Sequence, residues 1–147
     1  MSENTIKATV IPEFADLYGD EYRYIVYVSG RSTGKSFAVG LSQLVRGMSQ
    51  KMKFLDVREV QASLRDSVKS QLEGLITANG WDEYFEVFRD SIRCLINGSE
   101  WVFLGLKDNP TKVQSYADID EVWVEEAQSL SHRSLMALIP TIRKQGS

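Results

Sequence analysis

The sequence predicts an α/β fold with a mainly parallel sheet, helices on both faces and one β-hairpin. Three observations support this prediction. A β-branched and aromatic run at residues 24–28 leads into a loop of small residues, a second apolar run covers residues 52–57, and a third, at 119–124, ends in two acids. Apolar runs that alternate with helical patterns are typical of a parallel sheet covered by helices. The length of 147 residues fits a single domain.

The composition narrows the class of protein. Hydrophobic residues make up 43% of the chain and charged residues 25%, which is ordinary for a globular domain. The net charge of −3 argues against a surface that binds nucleic acid by bulk electrostatics, so any DNA contact is expected to be local or shared. Cys94 is the single cysteine and cannot form an internal disulfide, which suits a reducing compartment. The sequence shows no membrane-spanning run and no secretory signal, so we expect a soluble, intracellular protein.

The loop after the first predicted strand has the chemistry of a phosphate-binding loop. Small residues allow successive backbone N–H groups to face phosphate oxygens, Lys35 supplies a positive charge, and Ser36 supplies a hydroxyl for Mg²⁺. Ser29 stands where the usual pattern has its first glycine. The predicted nucleotide-binding residues are Ser29, Gly30, Arg31, Ser32, Thr33, Gly34, Lys35 and Ser36. A helix is expected to follow, with its apolar face formed by Phe37, Leu41, Leu44, Val45 and Met48.

Residues 11–18 form an apolar and aromatic patch before the first predicted strand. Two interpretations remain open for it. Its aromatic rings are suited to the floor of an adenine site, or Phe14 and Leu17 are simply the outermost residues of the core.

The middle of the chain supplies the remaining elements. Residues 63–66 have the spacing of a capping box, and the helix after them is expected to end near Gly80. Its predicted apolar face comprises Leu64, Val68, Leu72, Leu75 and Ile76. Asn97-Gly98, between two apolar runs, predicts a hairpin with a tight turn, and residues 105–115 read as a loop.

Two adjacent acids end the last apolar run and resemble a Walker B element. Glu125 is predicted to support Mg²⁺, and Glu126 to orient and deprotonate the attacking water. Lys35 and these acids should converge on one phosphate, because ligand sites lie at the carboxyl ends of parallel strands. Loop and acids together predict a P-loop NTPase of the ASCE type, with the strand that leads into the loop at the centre of the sheet.

The arginines and the histidine carry weaker signals. Arg31 is a candidate for stabilising charge on the γ-phosphate in the transition state, the alternative being a solvent-facing loop arginine. Arg133 and Arg143 could serve a neighbouring subunit or a DNA backbone, although isolated arginines are most often surface residues. His132 has no partner pattern and receives no catalytic role.

Four segments together resemble the large terminase subunits of tailed bacteriophages, which are ATP-driven motors that thread viral DNA into a capsid. The likeness extends from residue 24 to residue 143. The segments that carry it are residues 29–36, 57–67, 103–108 and 122–128. The resemblance implies an ATPase core with Glu126 as catalytic glutamate beside the metal-binding Glu125, and Arg31 near the γ-phosphate.

The resemblance also implies partners, which are double-stranded DNA, a small terminase subunit and the portal protein of the procapsid. It implies assembly into a ring in the cytoplasm of the infected or lysogenic host, and absence from the mature virion. Large subunits generally continue into a further strand and a nuclease domain, so residues 1–147 are expected to be a C-terminally truncated ATPase domain without nuclease activity. A nucleotide-binding remnant without turnover and a helicase-like ATPase are the alternatives; a small-molecule kinase is disfavoured, because two acids provide a base for water.

Overall fold

The computed structural model describes residues 5–30, 33–60, 68–107 and 109–142. Within them lies one mixed five-stranded sheet. Its strands are β1 (Lys53–Arg58), β2 (Phe85–Val87), β3 (Ser91–Cys94), β4 (Glu100–Gly105) and β5 (Glu121–Val124). The α-helices are α1 (Lys35–Ser49), α2 (Ser70–Ala78) and α3 (His132–Leu138). Short 3₁₀ helices cover Pro12–Tyr18, Asp82–Tyr84, Pro110–Ser115, Ala127–Ser129 and Ile139–Thr141.

The strand order is β2-β3-β4-β1-β5, and β1 has a parallel neighbour on each side. In the register of these strands, Asp56 lies opposite Phe103 on β4 and opposite Trp123 on β5. The pairs β2·β3 and β3·β4 are antiparallel. The carboxyl ends of β1, β4 and β5 therefore meet at one edge of the sheet, where α/β folds bind ligands.

Two apolar layers cover the sheet, because successive side chains of a strand point to opposite faces. One layer packs α1 and α2 on the sheet through residues such as Leu44, Phe54 and Trp101. The other packs α3 and the segment Pro110–Ser115 against Leu55 and its neighbours. Helices on both faces are thus confirmed.

The carboxyl-terminal half of α1 is closely packed against the sheet. A Cβ atom added at Gly47 would lie 2.5 Å from the Trp101 ring, so only glycine lets the helix approach this closely. The buried Ser99 hydroxyl donates to the carbonyl oxygens of Gly47 (2.6 Å) and Gln50 (3.1 Å). This end of α1 is held by both packing and hydrogen bonds.

The prediction of a strand at residues 24–28 is wrong, and so is the prediction that this strand lies at the centre of the sheet. This segment pairs with none of the described strands, and the side chains of Val26 and Val28 are 79% and 92% exposed. Tyr27 packs edge-on against Phe14 of the amino-terminal patch, with ring centroids 5.1 Å apart. No described strand lies beside the segment to accept and donate its backbone hydrogen bonds, and β propensity alone does not form a strand.

Smaller differences have local causes. The hairpin between β3 and β4 is confirmed, but β3 ends at Cys94, and a longer loop replaces the tight two-residue turn. Gly98 in this loop has φ +83° and donates its N–H to the Cys94 carbonyl (2.9 Å). Phe37, predicted on the apolar face of α1, is 41% exposed instead, because it lies in the first turn near the sheet edge.

Other predictions hold or fall outside the described residues. The helix α2 ends at Ala78, and Gly80 adopts φ +70° directly after it, as the predicted stop requires. The predicted loop at 105–115 contains the 3₁₀ helix Pro110–Ser115. The capping box at 63–66, with Leu64, lies outside the described residues. In the part of the chain that the structure describes, no helix combines the length and apolar character needed to cross a membrane.

Candidate active site

The described residues at the two ends of the predicted phosphate loop contact each other where α1 begins. Lys35 Nζ donates to the Ser29 carbonyl oxygen at 2.9 Å, and the hydroxyls of Ser29 and Thr33 are 2.7 Å apart. Gly34 has φ +81° immediately before the helix, a conformation that L side chains rarely adopt. The loop therefore turns directly into the amino-terminal end of α1, where unpaired N–H groups and the helix dipole favour an anion.

Ser36, in the first turn of α1, contacts the first of the two acids. Its hydroxyl donates to Glu125, with Oγ to Oε1 and Oε2 distances of 3.1 and 3.3 Å. The position of Glu125 is set by the sheet, because its N–H continues the β1·β5 ladder by donating to the Val57 carbonyl (3.0 Å). The structure thus brings the loop and the carboxyl end of β5 together, as the sequence predicts.

Glu126 is the first residue beyond this ladder. Its φ of +51° lies in the left-handed region, which costs a residue with a Cβ atom about 1–3 kcal/mol. Its carboxylate forms an ion pair with Arg58 at the end of β1. The side chain of Glu126 remains 48% exposed, whereas that of Arg58 is only 15% exposed. The adjacent acids therefore have different environments: Glu125 faces Ser36, and Glu126 faces an arginine.

A buried polar network lies beneath the site, between α1 and the sheet. Gln43 Nε2 donates to Asp56 Oδ1 (2.9 Å) and to Glu121 Oε1 (3.2 Å), and Arg46 forms an ion pair with Glu121 (2.6 Å). The side chains of Gln43 and Asp56 are fully buried. Burial raises the pKa of Asp56 well above its usual range; the hydrogen bond from Gln43 opposes this, and the carboxylates of Glu121 and Glu125 add to it.

Each predicted site residue has a defined outcome. Ser29, Gly30, Thr33, Gly34, Lys35 and Ser36 form the described part of the loop, and Ser36 meets Glu125. Arg31, Ser32 and Arg143 lie outside the described residues, and His132 begins α3 after the capping Ser131.

Sequence reasoning missed the partner role of Arg58 and the network around Asp56. A carboxylate in the middle of the apolar run 52–57 was the available signal for that network.

The oxygen atoms at the loop end suit a hard divalent cation. The hydroxyl of Ser36 and the carboxylate of Glu125 are the ligand types that Mg²⁺ takes, and Mg²⁺ usually keeps several waters and substrate oxygens besides. Among residues 5–30, 33–60, 68–107 and 109–142, no group of three His, Cys, Asp or Glu side chains could hold a metal by itself. The Ser36 hydroxyl and the Glu125 carboxylate are thus the described oxygen donors that could contribute to a Mg²⁺ site.

A depression of about 450 Å³ lies near the other end of the strands, away from the loop. Its lining mixes cations and acids, including Lys51, Lys53, Arg93, Glu100 and Asp120. Because these charges oppose one another and no motif points here, the depression contributes nothing to the site.

The fold and the joined loop and acids define a class: an α/β domain with the P-loop NTPase fold. Solved structures of the large terminase from a thermophilic bacteriophage share it. The structure in complex with ADP has a TM-score of 0.65 at 13% identity, covering 80% of this chain and 30% of that one. A second crystal form of the same large terminase has a TM-score of 0.66 at 14% identity, with the same coverage.

Sequence comparison gives the family. The family model described as "Phage terminase large subunit" matches residues 21–147. The PBSX phage terminase large subunit of Bacillus subtilis (strain 168) is 28% identical over 134 residues, which cover 90% of this chain and 31% of that protein. The chain belongs to the phage terminase large subunit family, and it spans about a third of the length of this relative.

Proposed function

We propose that this chain is the ATP-hydrolysing motor portion of a phage terminase large subunit, which drives double-stranded viral DNA into a procapsid. The hydrogen bond from Ser36 to Glu125 carries the proposal, because it joins the phosphate loop to the acidic end of β5. The ADP complex of the large terminase from the thermophilic bacteriophage supports a nucleotide as the ligand of this fold.

Each residue has a role in this mechanism. The amino-terminal end of α1 and the Lys35 ammonium bind the phosphates, and the role proposed for Arg31 is to stabilise charge on the γ-phosphate. Ser36 and Glu125 would hold Mg²⁺, which would neutralise charge on the phosphate oxygens. Glu126 orients the attacking water and accepts its proton. Catalysis is then positioning and electrostatic stabilisation, as in other phosphoryl transfers.

The partners follow from the family. The motor acts on double-stranded DNA as a homo-oligomeric ring, with a small terminase subunit and the portal protein of the procapsid, in the cytoplasm of the bacterial host. The net charge of −3 means that any DNA contact made by this portion is local. Nuclease activity is not expected from these residues.

The test is Mg²⁺-dependent ATP hydrolysis by the purified chain, with and without double-stranded DNA, and with nucleotide binding measured in parallel. Lys35→Ala should lose binding and turnover, whereas Glu126→Gln should keep binding and lose turnover by about 10²–10⁴-fold. Lys51→Ala and Glu86→Gln are matched controls, because both residues are exposed and lie away from the loop. Equal activity in Glu126→Gln and wild type would refute the role of Glu126.

A second candidate, nucleotide binding without turnover, is favoured by one observation. The segment at 24–28 that leads into the loop joins no strand of the sheet, so the loop is anchored on the α1 side but not on the strand side. Binding abolished by Lys35→Ala, with no turnover in the wild type even with DNA, would support this candidate over the motor.

A further inference from the structure

The helix α1 is joined to β5 at two levels by polar contacts. Near its start, the Ser36 hydroxyl donates to Glu125. Two turns later, Gln43 donates to Glu121, and Arg46 pairs with the same carboxylate. Seven helical residues rise about 10 Å, and four strand residues about 13 Å. The helix therefore runs along β5 in the opposite direction, with one polar contact toward each end of the strand.

The second contact lies in a layer that is otherwise apolar. Asp56 has Phe54 two residues before it on the same face of β1 and Trp123 opposite it on β5, and both rings belong to the apolar layer under α1. Polar groups in such a layer cost free energy, and apolar residues of similar volume often give equal or greater stability. Stability alone therefore does not account for a glutamine, an aspartate and an ion pair here.

The unpaired atoms of this network indicate its protonation state. Within the described residues, neither Asp56 Oδ2 nor Gln43 Oε1 has a hydrogen-bond partner, although both are buried. Gln43 Nε2 already donates to Asp56 Oδ1. A proton on Asp56 Oδ2 would give Gln43 Oε1 a donor, so that two hydrogen bonds would join the carboxyl group of Asp56 to the amide of Gln43.

We propose that Gln43, Asp56 and the Arg46–Glu121 ion pair are positioning residues that set the register of α1 along β5 and so hold Ser36 against Glu125. Apolar contacts allow a helix to shift along a strand by small distances. Hydrogen bonds in a buried network are directional, so they stabilise one position of the helix along the strand over the others. The register itself is independent of the proposed function. Only its consequence, the placing of two oxygen ligands for Mg²⁺, rests on that function.

Four variants test the network. Gln43→Leu removes its donor at nearly constant volume and should release the register. Asp56→Asn should preserve the register, because an asparagine amide can accept from Gln43 Nε2 and donate to Gln43 Oε1. Glu121→Ala removes the acceptor that α1 reaches on β5; this carboxylate is 25% exposed, so the variant remains usable if Gln43→Leu does not fold. Ser99→Ala is the matched control, because it removes buried hydrogen bonds at the other end of α1.

The first readout needs no nucleotide. A double-mutant cycle of Ser36→Ala and Glu125→Ala, measured by denaturant unfolding, gives the coupling between these two side chains. The coupling is expected in wild type, Asp56→Asn and Ser99→Ala, and it should be lost in Gln43→Leu and Glu121→Ala. Undiminished coupling in both of the last two would overturn the proposal, whether or not the chain hydrolyses ATP.

The second readout is the ratio of dissociation constants for a fluorescent ADP measured in EDTA and in Mg²⁺. Gln43→Leu and Glu121→Ala should reduce the Mg²⁺ enhancement about tenfold and leave the EDTA affinity unchanged, since Lys35 and Ser36 both lie at the start of α1 and shift together relative to Glu125. A parallel loss of both affinities would reveal a merely structural role and would overturn the proposal. If the wild type did not bind the fluorescent ADP, the proposed function would be refuted. The double-mutant cycle would still test whether the network sets the register of α1.

Discussion

Two segments that were both predicted as strands have different outcomes in this protein. Residues 24–28 read Tyr-Ile-Val-Tyr-Val and form no strand, whereas Lys53–Arg58 reads Lys-Phe-Leu-Asp-Val-Arg and forms β1. Val28 is 92% exposed, and Val57 is completely buried. By β propensity alone, the first run is the better strand.

The difference lies in the neighbours of each run. The strand β1 has a parallel partner on both sides and an apolar layer on both faces, so its backbone groups find hydrogen-bond partners and its apolar side chains are buried. Residues 24–28 have none of these partners among the described elements of the sheet. Propensity in strands measures fit to a sheet that already exists, and it does not create one.

The largest effect expected from this contrast comes from Phe54. Its ring stacks on Trp101 with centroids 4.9 Å apart and is fully buried. Phe54→Ala should lower the free energy of unfolding by about 3–5 kcal/mol. Tyr24→Ala, in the exposed run, should cost less than about 1 kcal/mol, the upper value for an exposed contact between a ring and a cation such as Arg23. Denaturant unfolding of both variants measures the difference, and equal losses would contradict the contrast.

A smaller effect is expected from replacing two valines with alanine, one buried and one exposed, since both substitutions remove the same atoms. Val57→Ala should lower the free energy of unfolding by about 2 kcal/mol, from two buried methyl groups and the cavity they leave. Val28→Ala should change it by less than about 0.5 kcal/mol, as is usual for an exposed side chain. A comparable loss in Val28→Ala would mean that residues 24–28 are buried in solution.

The smallest effect concerns the carboxylate inside β1. Burial raises the pKa of Asp56, and a carboxyl of this kind contributes stability that is present below its unfolded pKa of about 3.9 and is lost as the pH rises through the folded value. Asp56→Asn cannot ionise, so its stability should fall less than that of the wild type as the pH rises above about 4. Urea unfolding at a series of pH values tests this prediction, and parallel curves would show that the pKa of Asp56 is not raised in the folded chain.

The candidate site was predictable to the extent that its parts are local. Gly34-Lys35-Ser36 before a helical pattern and Glu125-Glu126 after a strand are short patterns whose chemistry follows from residue type. The meeting of Ser36 with Glu125 was expected from the rule that parallel strands present their carboxyl ends at one edge. Residues 24–28 are not a strand of the described sheet, however, and it is the start of α1 that brings Ser36 to Glu125. The pairing of Glu126 with Arg58 was not, because it depends on which strand lies beside β5.

The sequence by itself determined the α/β class, the helix after the loop, the strand before the acids and the hairpin near Gly98. These features depend on periodicity and turn chemistry within a few residues. Only the tertiary structure decided that residues 24–28 stay out of the sheet, that β1 lies between β4 and β5, and that Asp56 meets Gln43 beneath Ser36. Such outcomes depend on contacts between residues distant in the chain, and local propensity cannot say which partners will be present.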